Sequence, residues 1–346
     1  MRSGSNQICV IIILSSLAAA GCVNSSAVSD GYVTSPRVFA LTQISAVNNL
    51  TLGSDGRMWF TLPLAKAIGA VDSGGNIEMY QNPENIDAEG ERIASGPDGA
   101  LWFTQVNPHL PVDSGPDMIG RITTKGVWSE YPIASWDALP MGIVAGPDGA
   151  MWFAERDANA IGRITKSGKI VEYPLPHVGG GPTDIVVGRD RKLWFTETDG
   201  DRIGCIDPAT DQITEYVLPV PKSKPGPIAA DLTGEDVGVV ELASHRLVLF
   251  DTVKHIFKDT TARAPVALTT GTNRAIWFID SNGDVGFQPG WSDRHPTLIN
   301  VATQDSLPSA IALGPSGELW FAVRKGPTFA YAGTGAVGYL EKERSK

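Results

Sequence analysis

Cysteine is scarce in this sequence. Only Cys9, Cys22 and Cys205 occur among 346 residues, too few for a disulfide framework, so stability must come from packing. Hydrophobic residues make up 42% of the chain, and nine tryptophans are among them. This apolar content is enough for a core and excludes an intrinsically disordered protein.

Basic residues are also in deficit. The chain has 28 Lys and Arg against 38 Asp and Glu, which gives a net charge of -10. A protein of this charge does not bind nucleic acid through a basic surface. We therefore expect no nucleic-acid partner, and partners that are neutral, cationic or bridged by a metal.

Several catalytic motifs are missing as well. The sequence has no nucleophile elbow and no glycine-rich phosphate loop, because its glycines fall in repeated turns. Its five histidines have no metal-ligand spacing; they are His109, His177, His245, His255 and His295. These absences argue against a Ser or Cys triad and against a histidine-based metal site.

Only one long apolar run is present, ICVIIILSSLAAA over residues 8–20, and it follows Arg2. It is too short to span a membrane comfortably but typical of an export signal. Its end, Ala-Ala-Gly-Cys22, resembles a bacterial lipoprotein signal, in which Cys22 would be acylated. Ordinary cleavage after Ala20 stays open, because Ala19 stands where that signal usually has Leu. We predict a signal over 1–21, a flexible tether over 22–36, and an exported protein of the periplasm or cell envelope that meets the membrane only through a lipid anchor.

The rest of the chain repeats one phrase. Six copies are readily seen: GSDGRMWFTL (53–62), GPDGALWFTQ (96–105), GPDGAMWFAE (146–155), GRDRKLWFTE (188–197), GTNRAIWFID (271–280) and GPSGELWFAV (314–323). The interval from Trp194 to Trp277 is twice the usual one, and a degenerate copy at 232–242 places Val239 in the Trp position. Seven copies at this spacing predict an all-β, seven-bladed β-propeller over 37–346, with four strands per blade.

The two ends of the repeated region complement each other. The last copy stops after its third strand, whereas VFALTQ (38–43) is an unpaired strand that precedes the first copy. We predict that this N-terminal strand supplies the outer strand of the last blade and closes the ring without an open edge. The recurring Trp, Phe and Arg residues, Arg121 and Arg163 included, are interpreted as packing between blades.

The best preserved copies carry a family resemblance. GPDGAMWFAERDANAIGRITKSGKIVEYPLP and GRDRKLWFTETDGDRIGCIDPATDQITEYVLP resemble blades of streptogramin B lyase, also called virginiamycin B lyase. The resemblance covers about residues 38–343 and implies a seven-bladed propeller. It also implies an Mg-assisted elimination that opens a cyclic depsipeptide antibiotic, in which a base removes a proton beside the ester carbonyl.

The resemblance places the family's working residues in the last two blades. They are a His after the Pro of the sixth inner strand, Glu-Pro-His at the same place in the seventh, and a Glu after Trp-Phe-Ala-x. In this chain these positions hold Val266, Leu307, Ser309 and Arg324. The base and the acids are all replaced, and Arg324 would repel a cation. The elimination should not run here by the family's mechanism.

Other residues offer a binding site. The second strands end in Gln105, Glu155, Glu197 and Asp280, which we expect at the channel mouth, where their acids would bind Mg or Ca if any metal is used. The alternative is that they are solvated side chains that bond to turns.

Two long connections lie beside blade one on the same face, at residues 106–118 and 324–336. They bring candidate contact residues to the rim: His109, Arg324, Lys325, Phe329 and Tyr331. Length variation alone is the competing explanation.

Three functions follow. The first is an exported binding or interaction protein of the cell envelope, a monomer with no assured cofactor, whose partner is a small molecule or an envelope protein. The second is a diverged, metal-assisted enzyme acting on an ester, lactone or glycan through the acids at the mouth. The third is a true streptogramin B lyase whose catalytic set lies elsewhere.

Overall fold

The computed structural model describes residues 37–41, 47–83, 89–107, 115–231, 235–270, 275–289, 298–300, 306–325 and 335–340. These residues form antiparallel β-strands and one short 3-10 helix at Pro63–Ala65. The strands assemble into seven four-stranded sheets. The export signal, the tether and Cys22 lie outside the described residues.

Each sheet is a blade, and the blades are numbered in chain order. Blade one has β2 (Leu50–Leu52), β3 (Met58–Leu62), β4 (Ala67–Val71) and β5 (Ile77–Gln81). Blade two has β6 (Glu89–Ser95), β7 (Leu101–Val106), β8 (Met118–Ile122) and β9 (Trp128–Pro132). Blade three has β10 (Pro140–Ala145), β11 (Met151–Glu155), β12 (Ala160–Ile164) and β13 (Ile170–Pro174).

The later blades follow the same order. Blade four has β14 (Pro182–Val187), β15 (Leu193–Glu197), β16 (Arg202–Asp207) and β17 (Gln212–Val217). Blade five has β18 (Pro225–Ala230), β19 (Asp236–Glu241), β20 (Arg246–Asp251) and β21 (Ile256–Arg263). Blade six has β22 (Pro265–Thr270), β23 (Ala275–Asp280), β24 (Asp284–Pro289) and β25 (Leu298–Asn300). Blade seven has β26 (Ser306–Leu313), β27 (Leu319–Lys325), β28 (Gly335–Leu340) and, from the N-terminal side, β1 (Arg37–Ala40).

The first strands of the blades form a ring. Each contacts the first strand of the next blade, from β2 through β26, and β26 returns to β2. First strands are therefore inner strands around a central axis, and the all-β propeller fold expected from the repeats is confirmed. Blade seven is completed by β1, which pairs with β28 in the register Phe39 with Val337. The predicted contribution of the N-terminal strand is thus confirmed.

The recurring aromatic residues pack between blades. Trp59 of blade one lies in one cluster with Phe103 of blade two, and Trp152 of blade three packs with Phe195 of blade four. All four side chains are buried. In blade five the register corrects the prediction: Val239 lies opposite Ile228, in the place of Phe195, and Gly238 takes the Trp position. Val239 is fully buried in the cluster that contains Trp194. Neighbouring residues of a second strand, such as Trp152 and Phe153, lie in the cores on opposite faces of the blade.

In several blades, an Asp of the turn phrase accepts a hydrogen bond from the Trp of the second strand and pairs with an Arg of the third strand. We call this arrangement the Trp bracket. In blade three, Trp152 Nε1 donates to Asp148 Oδ1 at 3.0 Å, and Arg163 pairs with Asp148 Oδ2 at 2.7 Å. Asp98, Trp102 and Arg121 repeat the arrangement in blade two. Arg121 and Arg163 are therefore structural, as interpreted from the repeat. In blade four Cys205 faces Trp194 at the position that Arg163 occupies in blade three.

Cys205 is a buried free thiol. Across the described part of the chain, no helix is long and apolar enough to cross a membrane.

Candidate functional site

The start of an inner strand and the end of the next strand meet at one end of each blade. Pro140 pairs with Glu155, and Pro182 pairs with Glu197. Blades five and six repeat this register with Pro225 opposite Glu241 and Pro265 opposite Asp280. We call this end of the propeller the mouth face, and the family's working positions lie on it.

Two of the positions that the resemblance assigns to catalysis carry side chains with structural contacts here. Val266, where the family has a histidine, packs against the core cluster between blades six and seven. Ser309, where the family has a second histidine, donates from Oγ to the backbone carbonyl of Val47 at 2.8 Å. Leu307 and Arg324 are paired residues of β26 and β27. Neither Val266 nor Ser309 supplies a group that abstracts a proton at neutral pH.

The magnesium ion that the family resemblance implies does not fit this donor set. Mg²⁺ binds carboxylate oxygens, and none of the four positions carries a carboxylate. The Ser309 hydroxyl is committed to Val47. Among the residues that the structure describes, no group of three or more His, Cys, Asp or Glu side chains is arranged to hold a metal.

The contact residues expected on the long connections are only partly placed. His109, Phe329 and Tyr331 lie outside the described residues, and Arg324 and Lys325 are the last two residues of β27. His177 lies on the connection between blades three and four, where its backbone N–H donates to Glu215 Oε1 at 3.1 Å.

The residues that end the second strands are buried, which corrects the expectation of an open acidic mouth and the alternative of solvated acids. Gln105, Glu155, Glu197 and Asp280 are each at most 5% exposed. In blade two, Gln105 Nε2 donates to Glu130 Oε1 of outer strand β9 at 3.0 Å. The side chain therefore folds back across β8 toward the outer edge of the blade, instead of pointing at the axis.

Glu155 lies in the equivalent place in blade three. A Cβ added to Gly162 of β12 would lie 2.3 Å from Glu155 Oε1, so the glycine makes room for this carboxyl group. Neither carboxyl oxygen of Glu155 has a hydrogen-bond partner among the described residues. Burial, with added repulsion from Glu172 and Asp117, raises the pKa of Glu155 to about 8.

Glu197 repeats this environment in blade four. Both of its carboxyl oxygens also have no hydrogen-bond partner within the described part of the chain. Burial and the nearby Glu215 raise its pKa to about 8, and the charge of Arg202 opposes that rise. Two buried glutamates with raised pKa values thus occupy matching places in adjacent blades.

Glu241 of blade five was missed by the sequence analysis. It is fully buried, and its Oε2 accepts hydrogen bonds from Ser244 Oγ at 2.6 Å and from Arg246 Nη2 at 2.7 Å. Arg246 also pairs with Asp259 of the outer strand at 3.0 Å. The degenerate sequence of this repeat concealed it, although its distance from Val239 matches that of Glu197 from Phe195.

Asp280 behaves as a turn residue. Its Oδ1 accepts hydrogen bonds from the backbone N–H groups of Asn282 at 2.8 Å and Asp284 at 2.9 Å. Burial raises its pKa, and these hydrogen bonds oppose the rise. The turn-bonding alternative considered from the sequence describes this residue, except that it is buried.

Asp and Asn side chains also hold the connections between blades on the mouth face through hydrogen bonds. The residue before a third strand accepts from the next connection: Asp117 Oδ2 from Leu139 N at 2.8 Å, and Asn159 Oδ1 from Gly180 N at 2.7 Å. The residue before the opening proline has a left-handed backbone at Leu139, Gly181, Lys224 and Ala264. The sequence signal for these hydrogen bonds was the polar residue two positions before the Ile of each Ile-Gly pair, as in Asp117 and Asn159.

The inner strands place two opposite charges about the axis. Asp184 of β14 accepts hydrogen bonds from the backbone N–H groups of Ile185 and Ile228. Burial raises the pKa of Asp184, whereas the positive charge of Arg92 lowers it. Because Arg92 lies on β6, two blades away, the two side chains face the space that the inner strands enclose. Arg92 and Asp184 form a polar feature that was not recognised in the sequence.

Solved structures share this architecture. A streptogramin B lyase structure is 28% identical, covers 88% of this chain and 97% of its own, and has a TM-score of 0.75. Selenomethionine-substituted virginiamycin B lyase from Staphylococcus aureus is 29% identical over 88% of this chain and 98% of its own, with a TM-score of 0.74. A catalytically inactive variant of the S. aureus enzyme with quinupristin is 30% identical over 87% of this chain and 98% of its own, with a TM-score of 0.73.

Sequence comparisons give a family but no individual counterpart. A search of curated proteins finds no significant match. The model of the Virginiamycin B lyase family matches residues 34–256, which is more than half of the chain and includes blades one to four and most of blade five. This chain therefore belongs to the Virginiamycin B lyase family.

Proposed function

We propose that this protein is an exported propeller of the cell envelope that binds a small molecule or an envelope protein on its mouth face and does not open depsipeptide rings. The observation that carries the proposal is the replacement of the family's catalytic positions by Val266, Leu307, Ser309 and Arg324. Fold similarity to a lyase describes the scaffold, whereas activity depends on the site.

The contacts of the replaced positions support a binding role. Val266 contributes to the core between blades six and seven, and Ser309 joins blade seven to the segment before blade one. Both side chains serve the packing of the ring. An elimination needs a base near the proton that it removes, and neither residue is one.

The mouth face offers polar groups for recognition. Arg92 and Asp184 present opposite charges toward the axis, and the connections at 133–139 and 175–181 border it. The long segments 106–118 and 324–336, with His109, Phe329 and Tyr331, extend the proposed rim. A ligand with both donor and acceptor groups suits this surface. No cofactor is needed for this role, and the protein would act as a monomer.

Ring opening tests the proposal directly. Purified protein is incubated with a type B streptogramin and Mg²⁺, and the product is followed by mass spectrometry. We expect the intact ring, whereas a streptogramin B lyase serves as the active control. Ring opening by this protein would overturn the proposal and restore the true-lyase alternative.

Binding is measured separately. Calorimetry with the same antibiotic reports whether the mouth face still recognises a depsipeptide without cleaving it. Shortening 106–118 to the connection length of blade three is the matched variant. If the rim binds the ligand, this variant loses affinity, and unchanged affinity would remove the segment from the proposed site.

A diverged enzyme is the second candidate, and the raised pKa values of Glu155 and Glu197 favour it. A carboxyl group that stays protonated at pH 7 is suited to general acid catalysis. Both residues are fully buried, however, which argues against contact with a substrate. Hydrolysis of small esters or lactones that disappears in Glu155→Gln would support this candidate over the binding role.

Export and lipidation are tested at Cys22. Metabolic labelling with a fatty acid in a bacterial host should label the wild-type protein and spare Cys22→Ser. If the wild-type protein is exported without label, ordinary cleavage after Ala20 is the correct interpretation.

A further inference from the structure

Four adjacent blades place two polar side chains near one another at equivalent register positions. One lies at or next to the end of the second strand, and the other lies on the outer strand, diagonally across the third strand and offset by two register positions. The pairs are Gln105 with Glu130, Glu155 with Glu172, Glu197 with Glu215, and Glu241 with Asp259. We call them the facing pairs of blades two to five.

The facing pairs of blades two and five are each joined by a hydrogen-bond donor. In blade two the Gln105 amide donates to Glu130 at 3.0 Å. In blade five the Arg246 guanidinium lies between the two acids, at 2.7 Å from Glu241 and 3.0 Å from Asp259. Glu130 and Glu241 therefore each gain a compensating interaction.

Blades three and four lack a hydrogen-bond donor at this position. Ala160 stands at the register position of Arg246, opposite Glu155, so blade three carries no guanidinium there. Arg202 occupies that position in blade four, but its Nη1 donates to the backbone carbonyl of Gly200 at 2.9 Å. Both oxygens of Glu155 and both of Glu197 remain without a donor among the described residues.

The outer-strand acids are committed to the connections of the mouth face. Glu172 accepts from Ser135 Oγ at 2.5 Å and from Ser135 N at 3.2 Å. Glu215 accepts from the backbone N–H of His177 at 3.1 Å. These bonds hold the segments 133–139 and 175–181. Electrostatic repulsion that displaces Glu172 or Glu215 would therefore also displace these two connecting segments.

An isolated buried carboxylate is costly, and a second carboxylate beside it raises that cost. Protonation removes the negative charge of the carboxylate and also provides an O–H donor, which the site otherwise lacks. We propose that Glu155 and Glu197 carry protons at neutral pH, standing in for the amide of Gln105, and that loss of these protons at alkaline pH loosens the connecting segments 133–139 and 175–181. This proposal holds whatever the mouth face binds.

Acidic groups predominate around both glutamates. Glu155 faces Glu172 from β13 and Asp117 from the segment before β8, and both are acidic. Glu197 faces Glu215 from β17 and one cation, Arg202 from β16, which does not bond to it. Burial is the larger influence at both sites and raises the pKa of each to about 8.

The direction of the pH effect follows from proton linkage. A glutamate has its ordinary pKa of 4.5 in the unfolded chain and about 8 in the folded protein, so the folded state binds more protons between these values. Stability from these groups is fully present below pH 4.5 and is lost as the pH rises to 8. We expect the unfolding temperature to fall by about 5 °C or more between pH 6 and pH 9.

Glu-to-Gln exchange provides the test. Thermal unfolding is measured from pH 6 to pH 9 for the wild-type chain and for Glu155→Gln with Glu197→Gln. The double variant should lose most of the alkaline decline, because glutamine keeps the donor at every pH. Gln105→Glu should steepen the decline by creating a third pair of the same kind.

Glu241→Gln is the matched control. It is the same exchange at the equivalent place in blade five, but it breaks an ion pair with Arg246. It should lower the unfolding temperature across the range and leave the alkaline decline in place. Amide hydrogen exchange, corrected for the effect of pH on the chemical exchange rate, should become faster at 133–139 and 175–181 above pH 8. This increase should occur in the wild type and not in the Glu155→Gln with Glu197→Gln variant.

Infrared spectroscopy of the wild-type protein tests the proposal even if a variant does not fold. A carbonyl band of protonated carboxylic acid at pH 7 that disappears near pH 9 supports the proposal. Its absence at pH 7, or an identical alkaline decline in wild type and double variant, overturns it. If Ca²⁺ or Mg²⁺ restores the unfolding temperature at pH 9 to its pH 6 value, the proposal is also overturned. The site would then bind a cation in place of the proton.

Discussion

Ser309 donates a hydrogen bond to the carbonyl of Val47, 262 positions earlier in the chain, and the two atoms lie 2.8 Å apart. The bond joins the inner strand of blade seven to the segment that leads into blade one. It uses the position at which related lyases place a histidine. Ser309 thus serves ring closure at a position that the family resemblance assigns to catalysis.

Removal of this hydroxyl tests its structural role. Ser309→Ala should lower the free energy of unfolding by about 1 kcal/mol, because one carbonyl loses its partner at the seam of the ring. Chemical denaturation measures the change. Ser167→Ala, at an exposed turn, serves as control and should change stability by less than about 0.5 kcal/mol. Equal effects of the two variants would contradict a role for Ser309 at the seam.

The Trp152 bracket predicts acid sensitivity. Burial alone would raise the pKa of Asp148, but hydrogen bonds from Trp152 and Arg163 outweigh it and lower the pKa below 3.8. The stability that Asp148 contributes is therefore present above pH 3.8 and lost as the pH falls through its folded pKa. Asp148→Asn should cost about 1 kcal/mol at pH 7 and progressively less toward pH 2.

Blade four supplies the control for this bracket. Asp190 bonds to Trp194 in the same way, but Cys205 stands where blade three has Arg163. Asp190→Asn should therefore cost less than Asp148→Asn at pH 7. Urea titrations at pH 7 and pH 3 measure both variants, and equal costs would show that the arginine contributes nothing.

Third-strand glycines should not tolerate a methyl group. A Cβ added to Gly204 would lie 2.3 Å from the ring of Phe195, which is fully buried. Gly204→Ala should therefore cost about 1–3 kcal/mol through forced displacement of the ring. Gly74→Ala is the control, because its added Cβ would meet only side-chain ends at 3.2 Å or more in an exposed turn. Denaturation midpoints compare the two, and a neutral Gly204→Ala would contradict this packing.

Cys205 should be unreactive in the folded protein. It is 3% exposed, and burial raises the pKa of its thiol to about 11. Iodoacetamide at pH 8 should modify it at least about tenfold faster after unfolding, because the thiolate is the nucleophile. Peptide mapping by mass spectrometry measures the rates. Comparable labelling of folded and unfolded protein would show that blade four opens readily.

The repeat made most of the fold predictable. A phrase that recurs with Trp59, Trp102 and Trp152 in one register can bury its aromatic face only against neighbouring copies. The same periodicity located the degenerate fifth copy but placed Val239 one residue out of register, because no Trp fixes the alignment there. It also showed that the last copy needed a strand from the N-terminal side, which β1 provides.

The site was less predictable. Register correctly placed Glu155 and Glu197 at strand ends on the mouth face, but it does not determine the direction in which a side chain folds. Gly162 creates the space that the Glu155 carboxyl group occupies, whereas Glu197 Oε2 lies beside Gly180 of the connection between blades three and four. Glu241 was missed because its repeat had lost the flanking phrase by which the others were aligned.

The sequence by itself predicted the propeller and its closure, because both depend on which residue types recur at which positions. Only the tertiary structure decided that the second-strand acids are buried and opposed by outer-strand acids. Burial and the availability of a donor depend on side chains that are distant in sequence, among them Glu172 of an outer strand and Ser135 of the connection before blade three. Their distances are not encoded in the spacing of any one repeat.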